Sequence, residues 1–87
     1  MRIIQPKSFK KDVKRMLKRE KDSAKLVEVI EILASGDDLP PRYRDHTLSG
    51  NWAGWNDCHI EPDWLLIYKH TGEELVLGRT GTHSDLF

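Results

Sequence analysis

Three histidines, His46, His59 and His83, share the second half of this chain with Asp63 and Arg79. They fall in two clusters, Asp45–Lys69 (DHTLSGNWAGWNDCHIEPDWLLIYK) and Arg79–Phe87 (RTGTHSDLF). An imidazole takes up or gives away a proton near neutral pH, because its ordinary pKa is about 6.5. When a ribose 2′-hydroxyl attacks the neighbouring phosphorus, that hydroxyl must lose a proton and the leaving 5′-oxygen must gain one. Arginine adds a planar fork of donors that matches phosphate oxygens and can stabilise the extra negative charge of the transition state. A carboxylate such as Asp63 can orient a histidine and raise its basicity. The set fits cleavage of RNA without a metal.

Competing readings of the same residues are weaker. His70 falls in a predicted turn with no partners nearby in sequence, and it reads as structural. A zinc site would show close-spaced ligand pairs. This chain has one cysteine, Cys58, and no close histidine pair, and His59 and Asp63 are separated by Pro62. No metal or cofactor is therefore expected. Of the three tryptophans, Trp64 reads as a wall of the site, and Trp52 and Trp55 as mainly structural. Phe87 could stack on a base or pin the tail. Tyr43 and Tyr68 read as packing residues.

These groups need a scaffold. Arg2–Gln5 could form a short first strand. Phe9, Val13, Met16 and Leu17 recur at helical spacing and predict a helix over residues 8–20, with Ser8 as its cap. Leu26, Val29, Ile30 and Leu33 predict a second helix over residues 23–35, opened by Asp22 or Ser23 and closed by Gly36. A link of two or three residues makes them an antiparallel hairpin. Pro40-Pro41 marks a loop. Alternation over Asn56–Glu61, the apolar run Trp64–Lys69 and the return Glu74–Thr80 read as strands, with a turn at His70–Glu73. If the last strand continues regularly, Arg79, Gly81 and His83 project to one side, and Gly81 leaves room for an approaching backbone. The sum is one α+β domain, residues 1–87, with an N-terminal helical hairpin packed on a small, mostly antiparallel sheet.

The 87 residues are 38% apolar and 32% charged, and their net charge of zero hides an asymmetry. Residues 1–21 hold nine Lys/Arg against Asp12 and Glu20; the remainder hold five against twelve Asp/Glu. Lys7, Lys11, Lys14, Lys18 and Lys21 form a like-charged column on the first helix, which costs helix stability unless a polyanion covers it. RNA or an acidic protein segment would do so. No apolar run approaches a membrane-spanning length. The basic start lacks the apolar core of a signal peptide, and a lone cysteine suits a reducing cytoplasm.

The segments Tyr43–Lys69 and Arg79–Phe87 closely resemble the YafQ branch of the RelE superfamily, toxins of bacterial type II toxin–antitoxin systems. The resemblance is looser in the two helices. It implies a RelE-like, microbial-ribonuclease-like fold and metal-independent, ribosome-dependent cleavage of messenger RNA at A-site codons, leaving a 2′,3′-cyclic phosphate. The family's functional positions fall on His46, His59, Asp63, Trp64, Arg79, His83 and Phe87. By that likeness His83 is the general acid and Arg79 the phosphate clamp. His46, His59 and Asp63 form the general-base group, with the base itself open. Trp64 and Phe87 position the RNA, and the basic helix (Lys7, Lys11, Lys14, Lys18) contacts ribosomal RNA. The implied partners are the ribosome, messenger RNA and a cognate antitoxin in a complex of two toxins and two antitoxins, in the cytoplasm and away from membranes. The alternative within the superfamily is a ParE-type toxin that inhibits DNA gyrase by binding, which needs no such histidine set.

Overall fold

A computed structural model describes residues 1–87. The first helix, α1 (Lys7–Lys18), starts behind Pro6 with no side-chain cap, so Ser8 lies inside the helix. Its buried residues are Phe9, Asp12 and Met16. Leu17, expected on the apolar stripe, is exposed, and the acid Asp12 takes an inward position instead. The second helix, α2 (Ser23–Ala34), opens as expected at Asp22, whose carboxylate accepts the Ala24 N–H at 2.9 Å. Leu26, Val29 and Leu33 form its buried face.

The link is four residues, Arg19–Asp22, longer than expected. Glu20 is left-handed there (φ +62°). Its N–H donates to the Leu17 carbonyl, and the Lys21 N–H donates to that of Met16. This is a helix-closing motif that usually carries glycine. With glutamate in that position, the sequence gives no stop signal.

Five strands form one sheet: β1 (Arg2–Ile4), β2 (His46–Thr47), β3 (Asn56–Glu61), β4 (Trp64–Thr71) and β5 (Glu74–Gly81). Their spatial order is β1-β5-β4-β3-β2. Only β1 runs parallel to its neighbour, β5, and the remaining pairs are antiparallel. The α+β architecture read from the sequence is therefore correct. No helix is long and apolar enough to cross a membrane.

Strand alternation sends side chains to two faces. Cys58, Ile60, Trp64, Leu66, Tyr68, Leu75 and Leu77 join Phe9, Met16, Leu26, Val29 and Leu33 in the core under the helices. Leu65 and Ile67 are fully buried on the opposite face, outside that core. A bulge decides where Arg79 points. Tyr68 pairs with Leu77 but Ile67 pairs with Arg79, so Gly78 is an extra residue in β5. Leu75 and Leu77 face the helices, and the extra residue turns Arg79 to the other side. Glycine is required there because a Cβ at position 78 would fall 2.6 Å from the Trp55 ring.

Two expectations need correction. Trp64 is only 1% exposed, and its Nε1 donates to Thr80 Oγ1 at 2.9 Å. It packs in the core and presents no ring to RNA. Trp64→Phe should lower stability by about 1–3 kcal/mol, from the lost hydrogen bond and the space left by the smaller ring, and leave the RNA binding expected from the sequence unchanged in the folded variant. Denaturant unfolding with RNA-affinity measurements checks this; weakened binding at intact stability would return Trp64 to the RNA. The second correction concerns the tail. Strand β5 ends at Gly81 and a short helix, α3 (His83–Leu86), follows, so His83 does not continue the strand. The Thr82 hydroxyl accepts the Asp85 N–H and the Asp85 carboxylate accepts the Thr82 N–H, a reciprocal cap. A Cβ at Gly81 would lie 2.9 Å from Asp85 Cβ. The space at Gly81 serves the seating of α3.

Candidate active site

The sheet register places the chemistry in a row. His46 on β2 lies opposite Asp57 on β3, Asp57 opposite Ile67 on β4, and Ile67 opposite Arg79 on β5. The next row holds His59, Leu65 and Gly81. These residues share the sheet face away from α1 and α2, with Leu65 and Ile67 as an apolar floor. Helix α3 adds His83 at its first residue. The His59 ring centre is 5.6 Å from that of His83 and 6.3 Å from that of His46. Three imidazoles far apart in sequence thus meet in space. His70 stays apart, its Nε2 3.3 Å from the Leu33 carbonyl.

Each imidazole is held differently. His83 Nδ1 lies 2.6 Å from Asp63 Oδ1, and the His83 backbone N–H donates to the same oxygen at 2.9 Å. A carboxylate at Nδ1 fixes the proton there and turns Nε2 outward. These two bonds, the backbone one first, hold the Asp63 carboxyl below the usual carboxylate range. The grouping of Asp63 with His46 and His59 is therefore corrected: Asp63 is the partner of His83.

His46 is positioned by its loop. Its Nδ1 contacts the Arg44 carbonyl at 2.9 Å, and that nitrogen must carry the proton because a carbonyl only accepts. The preceding residue, Asp45, accepts the Tyr68 hydroxyl and ties the loop to β4. His46 Nε2 lies 3.0 Å from Asp57 Oδ1, out of line for a hydrogen bond. His59 Nδ1 and Asp57 Oδ1 are both buried without a hydrogen-bond partner. Unsatisfied buried polar atoms are uncommon, and they cost stability.

Sequence reasoning missed Asp57. It is 4% exposed, and burial pushes its carboxyl above the usual range against the pull of His46, His59 and His83. Its place in the strand alternation with His59 was the available signal. Since the folded state holds this proton more tightly than the unfolded chain, the group's contribution is most favourable at acid pH and declines as pH rises through the carboxylate range. Asp57→Asn should abolish that decline, so its stability gain over wild type grows from pH 4 to pH 8 in urea unfolding. It should also slow cleavage about tenfold, as the imidazoles lose their anionic neighbour. A variant less stable than wild type at pH 8 would contradict the first expectation.

Arg79 is bound by a residue that the sequence did not single out. Asp12 accepts Arg79 Nε at 2.6 Å and Nη2 at 3.1 Å, together with the Thr80 N–H and Arg15 Nη2. Helix α3 is anchored by Asp85, which accepts two bonds from Arg19 at 2.6 and 3.1 Å. These bonds hold the Asp85 carboxyl far below its ordinary range. Phe87, 60% exposed, ends the chain one turn beyond His83. Lys7, Lys11, Lys14 and Lys18 are exposed along α1, whereas Lys21 leaves that column to pair with Glu61 at 2.8 Å. Trp55 lies over Gly78 with Lys69 Nζ 4.4 Å from its ring centre, and packs edge-on against Trp52. Burial pushes the Cys58 thiol up to about 12, which leaves it inert. No three His, Cys, Asp or Glu side chains are placed to hold a metal ion.

Across its whole length, residues 1–87, the chain matches the model of a family described as bacterial toxin of type II toxin-antitoxin system, YafQ. The chain belongs to the YafQ family. The mRNA interferase toxin YafQ of Escherichia coli K12 is 49% identical over 80 residues, 91% of this chain and 87% of that protein. The crystal structure of the E. coli DinJ-YafQ toxin-antitoxin complex contains a chain with 46% identity and a TM-score of 0.90, covering 98% of this chain and 94% of the other. A copper-bound mutant toxin from Helicobacter pylori superposes with a TM-score of 0.95 at 40% identity, covering 100% of this chain and 99% of that one. The resemblance of the two motif segments to YafQ toxins thus extends through both helices, and the fold is that of the YafQ structures.

Proposed function

We propose that this YafQ-family toxin is an endoribonuclease that cuts messenger RNA in the ribosomal A site. The observation that carries the proposal is the convergence of His46, His59, His83 and Arg79 on one sheet face, with a carboxylate beside His46, His83 and Arg79. A surface that only bound a protein would gain nothing from buried, unpartnered polar atoms at its centre.

The chemistry runs as follows. The imidazole pair His46 and His59, over the Asp57 carboxyl, takes the proton of the attacking 2′-hydroxyl. The 2′-oxygen bonds to phosphorus and the bond to the 5′-oxygen breaks. His83, protonated on both nitrogens and braced at Nδ1 by Asp63, delivers its Nε2 proton to the leaving 5′-oxygen. Arg79 stabilises the charge that grows on the phosphoryl oxygens. The products are a 2′,3′-cyclic phosphate and a 5′-hydroxyl. Phe87, exposed beside His83, holds a neighbouring base, and the lysines of α1 meet ribosomal RNA. The ribosome supplies the alignment of the message, a proximity effect that so small a protein leaves to its partner. A cognate antitoxin, two copies to two toxins, covers the basic surface and holds the toxin inactive in the cytoplasm.

Induced expression of wild type and His83→Ala in bacteria, with primer extension on an abundant message, tests the proposal. Cuts in phase with codons, present for wild type and absent for the variant, are expected. Growth arrest by both proteins with uncut message would discard the nuclease and leave gyrase binding.

A further inference from the structure

We propose that Asp12 is a positioning residue for cleavage: it grips one edge of the Arg79 guanidinium, so that the Nη1 edge alone is presented to the scissile phosphate. This inference rests on the nuclease reading above. Asp12 is 1% exposed on α1, an acid on the inward face of the most basic segment of the chain. A buried carboxylate is costly unless its oxygens are filled. Here they accept four N–H donors, Arg79 Nε, Arg79 Nη2, Arg15 Nη2 and the Thr80 backbone. The Thr80 bond has a topological cause. Strand β1 pairs with β5 only as far as Val76, so the edge of β5 beyond it lacks a strand partner. The Asp12 carboxylate occupies that gap and locks α1 to the strand that carries Arg79.

The consequence for Arg79 is geometric. Two of its five N–H groups are spent on Asp12, on the Nε/Nη2 edge. Two parallel bonds fix the plane of the guanidinium as well as its place. No other side chain hydrogen-bonds to Arg79, and Asp85, the other carboxylate whose charge acts on it, is occupied by Arg19 and Arg15. The anion does not cancel the clamp's charge, because Asp12 is shared between Arg79 and Arg15 and the trio remains net positive. A cation set in position before reaction needs no reorganisation as charge develops.

The test is a double-mutant cycle of Asp12→Asn and Arg79→Ala, read as single-turnover cleavage of message on programmed ribosomes, with urea unfolding of each variant. Asparagine keeps the shape but turns an NH2 group toward the guanidinium. Asp12→Asn should slow the cleavage step about 30-fold, within the range that misplacing a catalytic group by an ångström can cost, and leave the half-saturating ribosome concentration unchanged. In the Arg79→Ala background it should cost nothing further. An equal loss in both backgrounds would mean that Asp12 serves only the fold, and would overturn the proposal. Arg79→Lys, which keeps the charge on a partly exposed side chain, guards against misfolding of the Asp12 variant. Lysine cannot grip Asp12 along one edge and present another, so it should be nearly as slow as alanine; a wild-type rate would overturn the proposal. Wild type that cuts with an additive cycle refutes the positioning role alone, whereas wild type that does not cut refutes the nuclease reading beneath it as well.

Discussion

Replacing His83 by alanine is expected to slow RNA cleavage by about 10²–10⁴-fold, the usual worth of a positioned general acid. The leaving 5′-oxygen departs poorly as an alkoxide, so the penalty falls on the bond-breaking step. His83 is suited to that step because both of its anchors come from one oxygen: Asp63 Oδ1 accepts its backbone N–H and its Nδ1 proton. The first bond places the residue and the second sets the tautomer. The side chain is about half exposed at the first residue of α3, so its loss opens no core cavity. The variant should unfold with wild-type stability, and a single-turnover assay then reads chemistry alone. Asp63→Asn should reproduce most of the loss, since a neutral amide no longer stabilises the imidazolium and, where it donates to Nδ1, removes the place of that ring's second proton. Full activity in Asp63→Asn would mean that the contact is structural.

Arg79→Ala is the second large effect, a loss of about 10²–10³-fold, the scale seen when one donor to a developing oxyanion is removed. Its physical origin differs from that of His83. In the proposed reaction nothing is transferred by Arg79; it supplies a fixed positive charge where the phosphoryl oxygens gain negative charge. The loss should therefore persist across the whole accessible pH range, whereas the His83 defect depends on a proton. Stability will fall as well, because Asp12 is left buried with half of its donors gone. Comparison at a temperature where both proteins are folded, checked by circular dichroism, separates the two effects. Sulfur in place of a non-bridging phosphate oxygen should slow wild type more than Arg79→Ala, and an equal slowing would place the arginine elsewhere.

The distribution of what could be read from the sequence follows from the range of the interactions. The helices, the strands β3 to β5 and the cap at Asp22 are written in local spacing, and they were legible. His46, His59, His83 and Arg79 were legible as types, because few other roles gather them near loop and strand ends. Their partners were not. Asp12 and Arg79 are 67 positions apart, and Asp12 resembled a stray acid in a basic helix. Asp63 sits four positions after His59 in the motif yet serves His83, because Asp63 lies in the turn that meets the start of α3. The Gly78 bulge was hidden for a similar reason. A single inserted residue reverses the facing of every residue after it, and only pairing with β4 reveals which residue is extra. Trp64 misled through its neighbours: read as a wall of the site, it packs in the core, with its N–H on a buried acceptor in Thr80.

The most direct test of the account places a single 2′-deoxynucleotide immediately 5′ of the cleaved phosphate in a message bound to programmed ribosomes. Wild-type protein should leave that message intact, while the all-ribose control is cut to a 2′,3′-cyclic phosphate and a 5′-hydroxyl. Cleavage of the deoxy-substituted message at the same bond would show that water or another nucleophile attacks the phosphorus, and would contradict the roles given to His46, His59 and His83.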